Sequence, residues 1–245
     1  MRNPHNMKGK PIKLAVWNLE WATARQKRSA VMKQLLDDAA PDVCCFTEGN
    51  LDNLPYQGEV ISAVADYGYD NGAPQKRKVL LTSILSWTDV DQVGHPDLPP
   101  GRYVSGVAGG VRYIGVCIPW HDAHVATGRK DASRWNEHRA YLAALKHVLR
   151  ESLDKPEPIC LLGDYNQRVP KGWQPQDVYE QLLDVINGLK LHTSEVAGPD
   201  GKLLIDHVAT SPGLSFTIQR YLPKKDAEVR LSDHTGYCGE LTQRI

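Results

Sequence analysis

The chain has 245 residues, enough for one α/β domain to bury most of its apolar surface without stabilising disulfides. Its formal net charge is zero, with 29 basic and 29 acidic residues, which argues against a high-affinity, non-specific nucleic-acid binder. Five cysteines without metal-like spacing favour a reducing, cytoplasmic location, and no apolar run is long enough to predict a membrane span.

The first half of the chain predicts mostly strands. Residues 1–10 are polar and predict a tail, followed by a single domain over residues 11–245. Apolar runs and turn-forming residues then predict, in order, a strand at Ile12–Leu19, a helix at Ala22–Asp38 ended by Pro41, and strands at Asp42–Thr47, Tyr56–Val64, Val79–Ser86, Arg102–Val107 and Val111–Pro119.

The second half alternates helices with strands. The predicted elements, in order, are a helix at Ser133–Arg150, a strand at Pro156–Leu162, a helix at Gln176–Ile186, and strands at Leu203–Ala209, Phe216–Tyr221 and Tyr237–Thr242. Helices combined with antiparallel hairpins favour two packed sheets covered by helices over a purely parallel, doubly wound sheet.

The charges are unevenly distributed along the chain. Residues 1–28 hold seven Lys or Arg and only Glu20 as an acid, whereas residues 37–70 hold eight acids and no Lys or Arg. One interpretation is a solvated basic tail beside an acidic surface, and the other is a basic rim that faces a polyanion.

Polar residues recur at the ends of the predicted apolar strands. An isolated Asp or Asn after a strand is usually a turn former, but several such positions in one chain predict a shared site. The positions are Asn18, Glu20, Glu48, His121, Asp164, Asn166, Asp206, His207, Asp233 and His234.

Carboxylates in this pattern predict a hard cation. Glu48 and Asp206 lie in or beside apolar runs, where an unpaired carboxylate is costly, and several buried carboxylates repel one another unless a cation separates them. Oxygen ligands without a Cys or His cluster favour Mg²⁺, with Mn²⁺ as a substitute, over Zn²⁺. No Ser elbow or Walker-type loop is recognisable, which favours direct attack by water on a phosphate ester.

Six segments in this order resemble the endonuclease/exonuclease/phosphatase superfamily. They are WNLEW, DVCCFTEGN, the strand ending in IPWH, LLGDYN, LIDHVATS and LSDHTGYCGEL, and together they span Ile12 to Leu241. The resemblance implies an α/β fold of the DNase I-like type, a four-layer α/β/β/α sandwich with its site at one end of two packed mixed sheets.

The resemblance also implies roles for individual residues. Glu48 would bind the metal, supported by Asn18 and Asp233, and Asp164 would orient or deprotonate the attacking water. Asn166 would hold the phosphate, Asp206 would pair with His234, and His121 would donate to a non-bridging phosphate oxygen. His207 follows Asp206 on a strand, so we expect it on the opposite face, in a packing role.

The expected activity is Mg²⁺-dependent phosphodiester hydrolysis, with DNA or RNA as the substrate. Three departures from the DNA-cleaving pattern argue against abasic-site specificity. Asn50 replaces a basic residue, Cys117 replaces a Tyr, and no Trp precedes Asp206. The alternatives are a phosphomonoesterase acting on a nucleotide, inositol phosphate or lipid headgroup, and a non-catalytic binding module of the same fold.

Overall fold

The structure is a computed structural model that describes residues 10–69 and 73–243. The predicted polar tail, residues 1–10, lies outside the described residues except for Lys10. The described residues form fourteen strands and three α-helices, with a short 3₁₀ helix at Leu51–Asn53. In chain order these are β1 Ile12–Asn18, α1 Lys27–Ala39, β2 Val43–Asn50, β3 Glu59–Ser62, β4 Lys76–Ser83, β5 Thr88–Asp91, β6 Tyr103–Ala108, β7 Val111–Cys117, α2 Asn136–Leu153, β8 Ile159–Asp164, α3 Gln176–Val185, β9 Lys190–Leu191, β10 Asp206–Thr210, β11 Leu214–Leu222, β12 Lys225–Asp226, β13 Val229–Arg230 and β14 Gly236–Gln243.

Two six-stranded sheets form the centre of the fold. One has the order β11-β14-β1-β2-β4-β3 and the other β5-β6-β7-β8-β10-β9, while β12 and β13 form a separate hairpin. Within these sheets β1 runs parallel to β2 and β7 parallel to β8, and the other pairs are antiparallel. The prediction of two mixed sheets is confirmed.

The core has three layers of apolar contact. Val16, Leu81, Tyr113 and Leu162 belong to the cluster between the sheets. The outer face of the second sheet packs against α2 and α3, whose buried Leu and Val residues recur at helical spacing. The outer face of the first sheet packs against α1 through a third cluster. The order helix, sheet, sheet, helix is the four-layer sandwich that the sequence predicts.

Some boundaries differ from the prediction. The first helix begins at Lys27 rather than at Ala22, because the preceding residues form a loop closed by the Ser29 hydroxyl, which donates to the carbonyl of Thr23. The strand predicted at Leu203–Ala209 begins only at Asp206, where its pairing with Asp164 of β8 starts. None of the described helices is both long and apolar enough to cross a membrane.

Candidate active site

The carboxyl ends of the two parallel strand pairs meet at one end of the sandwich. Asn18 ends β1, Glu48 lies near the end of β2, and Asp164 ends β8. The antiparallel strand β10 starts at the same edge, since Asp206 is in register with Asp164. Strand ends of this kind are where α/β proteins place ligand sites. A cavity of about 180 Å³, here called the catalytic cavity, is lined by Asn18, Glu48, Lys78, Arg102, Cys117, Trp120, Asp164, Asn166, Asp233 and His234.

Asp164 is held by two asparagines. Its Oδ1 accepts from the backbone N–H of Asn166 at 2.8 Å, and its Oδ2 accepts from Nδ2 of Asn166 at 3.0 Å and Nδ2 of Asn18 at 3.5 Å. Burial raises the pKa of Asp164 to about 7, and the nearby Asp206 adds to the rise while His234 opposes it. Oδ1 of Asn18 accepts from the backbone N–H of Glu20 at 2.8 Å, so the amide nitrogen of Asn18 faces Asp164.

Asp206 and His234 form a buried pair. Nδ1 of His234 lies 2.7 Å from Oδ2 of Asp206, and the side chains are 11% and 2% exposed. Burial alone would lower the pKa of His234, but the carboxylates of Asp206 and Asp164 outweigh it and raise the pKa to about 10. The sequence-based expectation that Asp206 and His234 meet is therefore matched by the geometry.

Two cationic side chains that the sequence analysis did not identify, Lys78 and Arg102, line the catalytic cavity. Nζ of Lys78, on β4, lies 2.6 Å from Oε1 of Glu48, on the neighbouring strand β2. Arg102 is 3% exposed, and its Nη1 donates to the carbonyl of Cys117 at 3.3 Å. Lys78 lies two residues before Leu80 and therefore on the same face of β4, where Leu80 is fully buried. A lysine on a buried strand face is the sequence signal that could have identified Lys78.

The residues of the cavity fit a hard divalent cation. Oδ1 of Asp206 is buried and has no hydrogen-bond partner within the described part of the chain. One ligand atom from each of Asp164, Asp206 and His234 lies within 4.8 Å of the others. Asp164 and His234 line the catalytic cavity with Glu48 and Asp233, whereas Asp206 lines a neighbouring cavity that shares Asp233 and His234. A cation would offset the repulsion among these carboxylates.

His121 lies beside the catalytic cavity and is not among its lining residues. Its Nε2 is 3.0 Å from Oδ2 of Asp122, and its ring packs edge-on against Trp173 at 4.6 Å. The neighbouring Trp120 does line the cavity and is 42% exposed. The role of His121 as a phosphate donor stays a prediction.

His207 and Glu20 point away from the catalytic cavity. His207 is buried, with Nδ1 at 2.8 Å from Oγ1 of Thr193 and Nε2 at 2.9 Å from the carbonyl of Gln167. Glu20 forms ion pairs with Arg28 and Arg230. Both side chains hold elements of the scaffold together.

Several non-glycine residues around the cavity have a left-handed backbone. Glu20, Trp21, Glu48 and Asn166 have φ values of 45°, 57°, 50° and 52°. This conformation costs of order 1–3 kcal/mol per residue and is retained where surrounding contacts enforce it, most often at functional sites. The same conformation also occurs at other places in the described chain, so these four values describe the loops of the cavity and do not by themselves locate it.

Comparisons with known proteins agree with this fold. The model of the endonuclease/exonuclease/phosphatase family matches residues 15–234. No curated protein matches the chain in sequence.

Solved structures share the fold. A 3′-5′ exonuclease from Neisseria meningitidis is 21% identical with a TM-score of 0.67, covering 94% of this chain and 100% of its own. An AP endonuclease from Archaeoglobus fulgidus is 17% identical with a TM-score of 0.65, and the match covers 93% of this chain and 98% of the endonuclease chain. A mannosyl-6-phosphatase from Bacteroides thetaiotaomicron is 17% identical with a TM-score of 0.61, and the match covers 94% of this chain and 99% of the phosphatase chain. The chain is therefore a phosphoesterase that belongs to the endonuclease/exonuclease/phosphatase family.

Proposed function

We propose that this phosphoesterase is a Mg²⁺-dependent phosphodiesterase that cleaves a nucleic-acid strand, DNA or RNA, by direct attack of water. The observation that carries the proposal is the catalytic cavity, where the Asp164–Asn166 pair, the Asp206–His234 pair and two cations converge. The exposed ring of Trp120 at its rim suits a polynucleotide, whose bases stack on aromatic side chains. Mn²⁺ would substitute for Mg²⁺.

The residues of the chain have distinct tasks in this proposal. Asp164 orients or deprotonates the attacking water, and Asn166, which is hydrogen-bonded to Asp164, holds the phosphate. Asp206 accepts from Nδ1 of His234, which leaves Nε2 to donate to a phosphate oxygen in the transition state. Lys78 and Arg102 bind the non-bridging oxygens, and His121 would join them by turning from Asp122 toward the cavity.

The metal would be held by Glu48, with Asn18 and Asp233 in support. When bound, Mg²⁺ supplies positive charge that stabilises the charge developing on the phosphate. For Asn18 to serve as a ligand, its amide oxygen would have to leave the backbone N–H of Glu20.

A second candidate function is hydrolysis of a phosphate monoester. The observation that favours it is the pair of cations, Lys78 and Arg102, because together they match the two charges of a terminal phosphate. The structural relatives include a 3′ phosphatase from Neisseria, 21% identical with a TM-score of 0.64, whose structure holds a product DNA hairpin.

The test compares bis(p-nitrophenyl) phosphate, p-nitrophenyl phosphate and plasmid DNA as substrates, each with Mg²⁺ and with EDTA. We expect hydrolysis of the diesters with Mg²⁺ and none with EDTA. Glu48→Ala should lower activity by several orders of magnitude and weaken Mg²⁺ binding, whereas Asp37→Ala, on the exposed face of helix α1, should not. Full activity in excess chelator would refute metal dependence, and hydrolysis of the monoester alone would select the second candidate.

A further inference from the structure

A second cavity adjoins the catalytic cavity and shares two residues with it. This aromatic cavity has a volume of about 330 Å³, and Lys78 and Trp120 line both cavities. Its remaining walls come from the rings of Trp21, Tyr67 and Tyr69 and from the side chains of Lys76 and Thr127. A ligand that occupies the aromatic cavity would therefore lie directly beside the catalytic cavity.

The rings of the aromatic cavity form a continuous array. Trp21 stacks on Tyr67 with ring centroids 5.9 Å apart and an interplanar angle of 20°, and Tyr69 follows at 5.9 Å from Tyr67. Tyr69 in turn stacks on His124 at 4.4 Å. Trp21 is held with a φ of 57°, a strained conformation that an L-residue adopts only when its surroundings require it. Rings that support one another in this way give the cavity a preformed aromatic wall.

The charge of the aromatic cavity selects the ligand class. The Nζ atoms of Lys76 and Lys78 each lie 5.0 Å from the ring centroid of Trp21, and Lys78 lies 5.6 Å from that of Tyr67. Aromatic cages without lysines attract quaternary ammonium groups, but two ammonium groups here repel a cationic ligand. The combination suits an aromatic ring joined to an anion.

Lys78 connects ring recognition to the chemistry. Its Nζ lies 2.6 Å from Oε1 of Glu48 in the catalytic cavity and also lies over the rings of Trp21 and Tyr67. A phosphate in the catalytic cavity and an aromatic ring beside Trp21 would thus contact the same ammonium group. A ligand that makes both contacts therefore carries an anionic group and an aromatic ring on neighbouring parts of one molecule, as a nucleotide does.

We propose that the aromatic cavity binds an unpaired nucleobase of the nucleotide that carries the scissile phosphate, an inference that rests on the function proposed above. A base inside a duplex is already stacked and paired, so the substrate would be a single strand, a frayed end or a free nucleotide. The lining offers ring faces and cations, with the Thr127 hydroxyl as its one short polar group, so recognition depends on stacking and tolerates all four bases.

The experiment compares two single-stranded oligonucleotides of equal length in the presence of Mg²⁺. One carries normal bases, and the other has tetrahydrofuran in place of every nucleoside sugar and base, which keeps the phosphates and removes the rings. We expect kcat/KM to be about tenfold to hundredfold higher for the base-bearing strand, the range that base stacking on aromatic side chains contributes. Equal kcat/KM values, or faster cleavage of the same sequence in a duplex, would overturn the proposal.

Variants of the ring array sharpen the test. Trp21→Ala should bring the ratio of the two kcat/KM values close to one. Trp21→Phe should keep most of the preference for the base-bearing strand. Trp120→Ala serves as a second variant if Trp21→Ala does not fold. The matched control is Trp173→Ala, which removes an exposed ring outside the aromatic cavity and should leave the ratio unchanged. A ratio that survives Trp21→Ala and Trp120→Ala contradicts the proposal.

Calorimetry separates this inference from the proposed function and identifies the source of the base. Binding of adenosine 5′-monophosphate and ribose 5-phosphate is measured with the full chain, without turnover. Tighter binding of the nucleotide by tenfold or more supports the aromatic subsite even if no phosphodiester is cleaved, and equal binding refutes it. If the oligonucleotide binds more tightly than the mononucleotide, the source is a strand, and the reverse order indicates a free nucleotide.

Discussion

At the residue scale, the hydrogen bond between Asp206 and His234 joins the two sheets at the catalytic cavity. Asp206 begins β10 of one sheet, and His234 lies just before β14 of the other. The bond of 2.7 Å occupies Nδ1 and so fixes the tautomer and position of the imidazole. Groups that act as a unit give strongly non-additive effects when they are removed.

We expect Asp206→Asn, His234→Ala and the double variant each to lower kcat by about 10³–10⁵, with the double variant little worse than the poorer single one. The reason is that the imidazole without its carboxylate loses its orientation, while the carboxylate acts on the phosphate through the imidazole. Steady-state kinetics on the diester substrate, at saturating Mg²⁺, measure the effect.

His207→Ala is the control for this pair. It lies one residue from Asp206 but packs against Thr193 and Gln167, so its loss should lower the free energy of unfolding and spare most of the activity. Loss of turnover in well-folded His207→Ala, together with a benign His234→Ala, would mean that the pair has been assigned to the wrong histidine.

At the element scale, two buried histidines hold the loop that follows Asn166. Nε2 of His138, on α2, lies 2.8 Å from the side-chain Nε2 of Gln167. Nε2 of His207, on β10, lies 2.9 Å from the backbone carbonyl oxygen of Gln167. Nδ1 of His138 also lies 2.6 Å from the carbonyl of Pro119, just after β7. The histidines thus connect a helix and a strand to the two loops that carry Trp120 and Asn166.

This arrangement predicts acid sensitivity. Burial lowers the pKa of His138 and of His207 to about 4, whereas an unfolded histidine binds its proton at about 6.5. The unfolded state therefore binds more protons between these values, and the free energy of unfolding falls as the pH is lowered through this range. Between pH 7 and pH 5 each histidine should contribute a loss of about 2 kcal/mol.

Urea unfolding at pH 7, 6 and 5 measures this dependence. His207→Gln should reduce its slope, because the glutamine does not titrate, whereas His147→Gln, on the exposed side of α2, should leave the slope unchanged. A slope that is the same in wild type and His207→Gln would show that burial does not keep this histidine neutral.

At the scale of the whole molecule, a net charge of zero is matched by mixed charge at the site. Lys76, Lys78 and Arg102 line the aromatic and catalytic cavities, but carboxylates line the catalytic cavity as well, and many other surface charges are paired. Long-range attraction of a polyanion is therefore weak, and only a few phosphates would contact the protein at once.

Binding to long DNA should accordingly depend only shallowly on salt. The slope of log K against log salt concentration is about −0.7 to −0.9 per neutralised phosphate, so we expect a magnitude of roughly 2–4. Fluorescence anisotropy between about 50 and 200 mM salt, with Ca²⁺ in place of Mg²⁺ to suppress cleavage, gives the slope. A magnitude near 8 would indicate an extended basic groove and contradict this expectation.

The sequence determined the family, the mixed two-sheet fold and most of the polar positions of the catalytic cavity. Apolar alternation and turn residues are local signals, and they locate long strands such as β1 and β14 and the helices α2 and α3. The sequence-based prediction missed the short strands β5, β9, β12 and β13, because two to four residues carry too little pattern to distinguish a strand from a loop.

The tertiary structure decided which side chains meet. The pairing of β4 with β2 brings Lys78 to Glu48, 30 residues away in the chain, and no local pattern encodes that contact. The loops after β1, between β3 and β4, and after β7 bring Trp21, Tyr67 and Trp120 to one cavity in the same way. Local periodicity fixes the face on which a residue lies, whereas long-range strand pairing, driven by burial of the shared core, fixes its neighbours.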